Sequence, residues 1–271
     1  MRIDSNTSVY AVFGDPISHT LSPVMHNSAF EYAGVNGVYL AFRVQDIKNA
    51  ITSVRTLGIK GVSVTIPHKM EVIKYLDEID DTVLKIGAVN TVINSEGRLK
   101  GYNSDGTGAV KALSEKTQIM GKSVAIIGAG GAARALGFCI KKEGGRITVV
   151  SRNRKKGEML AKNLSADYRP LNDIGEIKYD ILINATPAGM YPNTDEMPVE
   201  GRHLEKGMIV MDVVYNPLKT RLLLEAEKAG CITVDGVSMF VHQGAFQFEL
   251  WTGIKAPLDI MKKAVLEKLN C

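Results

Sequence analysis

The sequence predicts an α/β fold in two domains, the second of them a doubly wound parallel sheet. Three observations carry this expectation. Residues 123–138 read as a short apolar strand, a glycine turn and a helix of small residues. Beyond that unit, strand-like apolar runs keep alternating with helical stretches, which is the pattern of a sheet covered on both faces. From Gly236 onward only helices are expected. A chain of 271 residues is long enough for two modest domains.

In order from the N-terminus, residues 8–13 (SVYAVF) read as the first strand, broken by Gly14, Asp15 and Pro16. The loop that follows carries Thr20 and Ser22, two residues apart. Pro23 pushes Ser22 toward an extended conformation, so both hydroxyls can aim one way and hold a carboxylate. The competing reading makes Ser22 the N-cap of a helix with Pro23 at its first position. Residues 38–43 form a second strand, 47–57 an amphipathic helix, and 61–66 (GVSVTI) a third strand closed by Pro67, His68 and Lys69. Thr65 and Lys69 therefore sit at a strand end, where α/β sites cluster. Position alone leaves Lys69 equally an exposed surface lysine, and His68, with no partner in sequence, reads as structural. Residues 70–80 read as helical, and 87–92 (GAVNTV) enter another strand. Asn90 inside so apolar a run needs partners, from the backbone or from a ligand. A return strand at 98–101 leads to Tyr102-Asn103-Ser104-Asp105, with Asp105 placed to cap a helix at 109–116. That helix leads into the second domain, and the domains are expected at 1–103 with 236–271, and at 104–235.

The second domain opens on residues 124–127 (VAII), a buried parallel strand. Gly128 permits the tight turn, Gly130 lets backbone approach a pyrophosphate, and Ala133 holds the third, small position of the fingerprint. Unpaired N–H groups at a helix start favour an anion there. The next strand, 146–150 (RITVV), ends in Ser151-Arg152-Asn153-Arg154-Lys155-Lys156. A carboxylate for a ribose 2′-hydroxyl belongs about 20 residues past the glycines. It is missing, and four cations suited to a 2′-phosphate stand there instead. The cofactor expected is NADP. Helix 157–164, strands at 179–184, 208–214 and 231–234, and a helix at 220–230 follow. The last two helices, 239–252 and 258–269, read as strongly amphipathic and are expected to return to the first domain and brace it.

Composition narrows the function class. Net charge is +4, with basic and acidic residues interleaved, so nucleic-acid binding is not indicated. The three cysteines, Cys139, Cys231 and Cys271, are far apart and odd in number, which argues against a disulfide framework and for the cytoplasm. No N-terminal signal pattern and no run of membrane-spanning length is found. The histidines form no metal-ligand spacing, so no metal is expected.

Eight stretches occur in order along nearly the whole chain: GDPISHTLSP, GVSVTIPHK, GAVNTV, GYNSDGTG, GAGGAAR, NATPAGM, DVVYNP and DGVSMFVHQGAFQFELWTG. Together the sequence resembles the shikimate dehydrogenase family. The resemblance implies an N-terminal α/β substrate domain with a mixed sheet, a Rossmann domain binding NADP, and C-terminal helices crossing back. It implies reversible NADPH-dependent reduction of 3-dehydroshikimate to shikimate, on the way to chorismate and the aromatic amino acids. The carboxylate pair falls on Thr20 and Ser22, and the ring contacts on Thr65, Lys69, Asn90, Asp105 and Gln243, with Tyr215 on the substrate side. The cofactor turn falls on Gly128, Ala129, Gly130, Gly131, Ala132 and Arg134, and the 2′-phosphate loop on Ser151, Arg152, Asn153 and Lys156. Thr186, Val213, Gly236 and Met239 match positions lining the nicotinamide. Lys69 and Asp105 are the catalytic candidates: an ammonium at the ketone oxygen offsets developing charge and gives the proton. The family usually has Ser where Thr20 stands, which leaves a quinate or dual shikimate/quinate dehydrogenase as the alternative. A non-catalytic NADPH-binding sensor is the alternative of another class. A small-molecule substrate is the expected partner, and the assembly a monomer or homodimer.

Overall fold

The computed structural model describes residues 3–270; Met1, Arg2 and Cys271, the last of the three cysteines, lie outside them. The chain separates into two compact units, residues 3–104 with 243–270 and residues 105–242. The second boundary falls inside a helix, seven residues beyond the expected Gly236.

The first unit holds β1 (Ser8–Gly14), α1 (Ser22–Tyr32), β2 (Gly37–Arg43), α2 (Ile47–Thr56), β3 (Gly61–Val64), β4 (Glu78–Ile79), α3 (Asp81–Ile86), β5 (Thr91–Ser95) and β6 (Arg98–Tyr102). Its sheet runs β2-β1-β3-β5-β6-β4. β1 is parallel to both β2 and β3, while β5 is antiparallel to β3 and to β6. The sheet is therefore mixed. One face packs Ala11, Phe13, Val62 and Val64 against Ile47, Ile51 and Val54 of α2, the helical spacing that the sequence shows.

The second unit holds α4 (Asp105–Ser114), β7 (Ser123–Ile127), α5 (Gly131–Lys142), β8 (Arg146–Ser151), α6 (Arg154–Leu164), β9 (Asp167–Pro170), β10 (Ile181–Asn184), β11 (Ile209–Asp212), α7 (Arg221–Lys228) and β12 (Ile232–Val234). The strands run β12-β11-β10-β7-β8-β9, all parallel. Alternate residues of β7 go to opposite cores: Val124 and Ile126 to one, Ala125 and Ile127 to the other. Burial on both faces is what a doubly wound sheet demands. The order reverses at β7, whose neighbours are β8 and β10, and ligands of such sheets bind beside that reversal. α8 (Gly236–Thr252) spans the boundary at 242/243, and α9 (Leu258–Leu269) packs on α1 in the first unit.

Several expectations are corrected. Residues 70–80 are not one helix. A single 3-10 turn covers Val72–Tyr75, and β4 then pairs with Lys100 and Gly101. The helix starts only after Asp80, whose carboxylate accepts the Thr82 N–H at 2.9 Å, and it stops at Gly87 in the left-handed region. The β-branched pair Val72-Ile73 and the strand partner on β6 outweigh helical spacing there. β9 was not expected at all, because residues 167–170 (DYRP) are largely exposed at a sheet edge. α4 begins at Asp105 itself rather than at 109. α8 is not amphipathic: of its residues only Glu249 is exposed, since it is covered on nearly every side.

The second face of the mixed sheet carries an aromatic box. His26 stacks on Tyr39 at 4.4 Å, Phe30 lies 5.6 Å from Phe248, and the Trp251 indole donates to the Val92 carbonyl at 3.1 Å. Gly61 is required beneath that indole, because a Cβ there would strike the ring. His26 is fully buried, and neither ring nitrogen has a hydrogen-bond partner in good geometry. Burial drives its pKa down to about 3, with the nearby Gln247 side chain opposing this only weakly. A depressed pKa means that the unfolded chain takes the proton first, so stability is lost as pH falls from about 6.5 toward 3. The expected outcome is a steeper acid-side fall of the melting temperature in the native protein than in His26→Leu, measured by thermal melts across that range. His26→Leu leaves no new polar group unpaired.

Candidate active site

The sheet topology of the first unit delivers its candidate site residues to one end of the sheet. β1 and β3 are parallel neighbours, so the segments that leave them, 15–22 and 65–69, emerge on the same side. β5 runs the other way and begins with Thr91 opposite Ser63, which places Asn90 at that end too. β6 ends with Tyr102 opposite Thr91, bringing Asn103 and Ser104 there as well. Gly14 lets the first loop lie against Thr65, since a Cβ would meet the Thr65 methyl.

The hydroxyls of Thr20 and Ser22 are 3.3 Å apart. Ser22 does not cap α1: the helix has no side-chain cap, and the Ser22 N–H faces Thr20 Oγ1 at 3.4 Å. The capping alternative therefore fails, and the two hydroxyls lie side by side. Thr65 and Lys69 are half-buried, and the Lys69 carbonyl accepts from Val89 N–H at 2.7 Å. His68 is structural, with Nε2 2.7 Å from the Val44 carbonyl oxygen. Asn90 is 2% exposed. Its Nδ2 donates to Ser104 Oγ at 2.9 Å, and its Oδ1 accepts from Ser104 N–H at 2.8 Å. Ser104 Oγ lies 3.3 Å from Gln243 Oε1, so Asn90 and Gln243, distant in sequence, meet through one serine. Asp105, the residue after Ser104, is buried at the start of α4 in the second unit.

The second unit assembles a different set. Gly128 has φ +123°, and a Cβ on it would come within 3.0 Å of the Ala185 carbonyl oxygen at the end of β10. Only glycine suits that conformation. Gly130 is the N-cap of α5, makes no side-chain cap bond and faces open space, so the first N–H groups of the helix are presented outward. Gly131 and Ala132 are half-buried at the helix start, next to the half-buried Ala129, and Arg134 carries a buried Nε with no protein partner. A helix start without a cap and a buried donor without an acceptor fit a bound phosphate.

The basic segment differs from the expected loop. Arg154, Lys155 and Lys156 form the first turn of α6, because Asn153 caps the helix by accepting Lys156 N–H at 3.0 Å. Arg154 is held by Glu158 at 2.7 Å. Ser151 is buried and donates to the Asn153 carbonyl at 2.9 Å, while Arg152, Asn153 and Lys156 are exposed. Of the four cations, Arg152 is the one left on the loop itself.

Beside the reversal, β10 and β11 end in Asn184 and Asp212, both fully buried. Asn184 Oδ1 accepts from Thr186 N–H at 3.0 Å and from its hydroxyl at 2.6 Å, and the Asn184 carbonyl accepts Val213 N–H at 3.1 Å. Asp212 accepts from Asn184 Nδ2 at 3.0 Å, Val214 N–H at 3.0 Å and the Thr220 hydroxyl at 2.7 Å. This network holds the segments of Thr186 and Val213 and was missed in the sequence, although an acid inside MIVMDVV is the same signal that Asn90 gives. Gly236 packs on the Val214–Tyr215 backbone, Met239 joins the core, and Tyr215 stacks on Phe240 at 4.4 Å.

Three family descriptions match this chain: "Shikimate dehydrogenase substrate binding domain" over residues 12–92, "Shikimate / quinate 5-dehydrogenase" over 110–236, and "Shikimate 5'-dehydrogenase C-terminal domain" over 236–266. A shikimate dehydrogenase (NADP(+)) of Methanosarcina acetivorans is 48% identical over 277 residues, 97% of this chain and 99% of that protein. A shikimate dehydrogenase crystallised with NADP+ superposes with TM-score 0.95 at 43% identity, covering 99% of this chain and 98% of that one. The Thermus thermophilus shikimate 5-dehydrogenase bound to NADP(H) and shikimate gives TM-score 0.90 at 33% identity, covering 96% and 99%.

Burial raises the Asp212 pKa to about 6 against the pull of its three donors. The folded state thus holds the proton more tightly, so this contribution to stability is complete below about 4 and lost as pH rises through about 6. Asp212→Asn is expected to fold and to flatten that part of the stability–pH curve. Asp212→Leu, which strands the Asn184, Val214 and Thr220 donors, is expected to lose about 3 kcal/mol by chemical denaturation.

Proposed function

Because the chain belongs to the shikimate dehydrogenase family, we propose that it catalyses the reversible NADPH-dependent reduction of 3-dehydroshikimate to shikimate, in the biosynthesis of chorismate and the aromatic amino acids. The observation that supports this most is the end of the mixed sheet, where two adjacent hydroxyls, a half-buried lysine and two amides bridged by Ser104 all emerge together. Thr20 and Ser22 take the substrate carboxylate as a pair of neutral donors. Thr65, Asn90, Asp105 and Gln243 take the ring hydroxyls, with Tyr215 on the substrate side. A pocket of this kind rejects analogues lacking a hydroxyl, because its own polar groups would be left unpaired.

NADPH supplies the hydride when bound. The glycine turn and the first turn of α5, together Gly128 to Arg134, would hold its pyrophosphate. Arg152, with Ser151, Asn153 and Lys156, takes the 2′-phosphate; no acid stands in that segment to favour a free 2′-hydroxyl. Thr186, Val213, Gly236 and Met239 line the nicotinamide. As the substrate ketone gains negative charge, Lys69 Nζ faces the oxygen, stabilises that charge and delivers the proton. Asp105 is the second catalytic candidate that the family resemblance carries over. In the reverse direction Lys69 accepts the hydroxyl proton of shikimate.

No helix among the described residues is long and apolar enough to cross a membrane. The cytoplasm is the compartment we propose, in keeping with the free Cys139 and Cys231; the assembly is a monomer or homodimer, which light scattering separates.

Lys69→Ala is expected to fold and bind shikimate while kcat falls about 10²–10⁴-fold in an NADPH absorbance assay; normal turnover would remove Lys69 from the chemistry. Arg152→Ala is expected to raise the KM for NADP about 10–100-fold and leave the KM for shikimate alone. With the native enzyme, NADP should outperform NAD and shikimate should outperform quinate in the same assay. Equal use of quinate would assign the dual specificity.

A further inference from the structure

Behind Asn90 lies a second, wholly buried layer of hydrogen bonds that none of the assigned roles uses. Tyr39, with no exposed surface, donates its hydroxyl proton to Ser63 Oγ at 2.6 Å. Ser63 donates to Gln247 Oε1 at 2.9 Å. Gln247 Nε2 donates to Thr91 Oγ1 at 2.9 Å and reaches the Asn90 backbone carbonyl at 3.3 Å. Thr91 then donates to Asn90 Oδ1 at 2.7 Å. Gln247 is 2% exposed and belongs to the part of α8 in the first unit.

We propose that Gln247 is a positioning residue for the substrate pocket: its amide fixes the orientation of the Asn90 side chain through Thr91. The proposal rests on the reading of Asn90 as a shikimate contact. The sense of the whole chain follows from one group that cannot reverse. The Asn90 carbonyl is an acceptor only, so the amide nitrogen of Gln247 must face it and the amide oxygen must face Ser63. Turning the amide over would set two carbonyl oxygens against each other and leave the Ser63 proton without an acceptor. With Nε2 on Thr91, the threonine proton is directed at Asn90 Oδ1. That oxygen also takes Ser104 N–H at 2.8 Å, so Asn90 Nδ2 is the atom turned to Ser104 Oγ. The same Gln247 contacts tie β3, which leads to Thr65 and Lys69, to β5, which Asn90 precedes. A group that fixes two strand ends and one amide acts on substrate geometry without touching substrate, and a misplacement near 1 Å costs about 100-fold in rate.

Steady-state kinetics on Gln247→Leu test this, alongside Ser63→Ala/Gln247→Leu, which also removes the stranded Ser63 donor. Both variants are expected to lose about 10–100-fold in kcat/KM for shikimate while the KM for NADP stays within about 2-fold of native. The double variant exchanges a stranded Ser63 hydroxyl for a Tyr39 hydroxyl without its Ser63 acceptor, so it is not expected to regain melting temperature, and neither variant is expected to regain the shikimate KM. If the single variant is too unstable to assay, the double variant carries the test. A lowered melting temperature with an unchanged shikimate KM in both variants would make Gln247 a merely structural residue and overturn the proposal. The orientation is also read without activity, from the Asn90 side-chain amide resonances in ¹⁵N NMR. These are expected to shift or split in Gln247→Leu, and unchanged resonances would overturn the proposal too. A native protein that did not oxidise shikimate at all would strike the functional reading instead, and the resonances would still decide the role of Gln247.

Discussion

A buried amide has to be paired on both its oxygen and its nitrogen, and at Asn90 that demand shapes one end of the mixed sheet. Its side chain sits at the end of an apolar run, 2% exposed, with Thr91, Ser104 and the Ser104 backbone around it. Leaving such a group unsatisfied costs about 1–3 kcal/mol. Meeting the demand forces the chain at 103–104 back against the start of β5 and draws α8 in through Gln243 and Gln247. This end of the mixed sheet is therefore tied together by hydrogen bonds that do not depend on substrate, and a site needs its groups held before anything binds.

The same device recurs in the second unit. There the last residues of two central strands, Asn184 and Asp212, pair with each other and with Thr220, and the loops that follow are pinned by their side chains. In both units the apolar core occupies the strands, and polar residues appear where the strands stop. The strand ends of an α/β sheet are the place where backbone groups run out of ladder partners, so side chains substitute for them. Each unit converts that local requirement into an ordered rim. One rim presents hydroxyls and amides, while the other adds the uncapped start of α5.

Much of this was legible in residues alone, and the exceptions have physical causes. The glycine turn at 128–131 is readable because the left-handed φ of Gly128 and the open start of α5 admit few other residues. Asn90 is readable because an amide inside an apolar run has few explanations. By contrast, β4 and β9 are stabilised by pairing with distant strands, and nothing in Glu78-Ile79 or Asp167-Tyr168 announces the partner. The capping pattern at Ser22 was a local signal that the fold overrode, since the serine turns to Thr20 instead. The division of the basic segment between loop and helix depended on Asn153 capping α6, which shifts three cations onto the helix. Gln247 was passed over because one glutamine in an apolar helix reads as a tolerated exception until its partners, 156 and 184 residues away, are known.

The proposed function places shikimate at one end of the mixed sheet. A crystal structure of this protein with NADP and shikimate tests it most directly. The carboxylate is expected on Thr20 and Ser22, a ring hydroxyl within hydrogen-bond distance of Lys69 Nζ and of Asp105, and Asn90 with its nitrogen toward Ser104. Shikimate density on any other surface, or at this end without contact to Lys69 and Asp105, would contradict it.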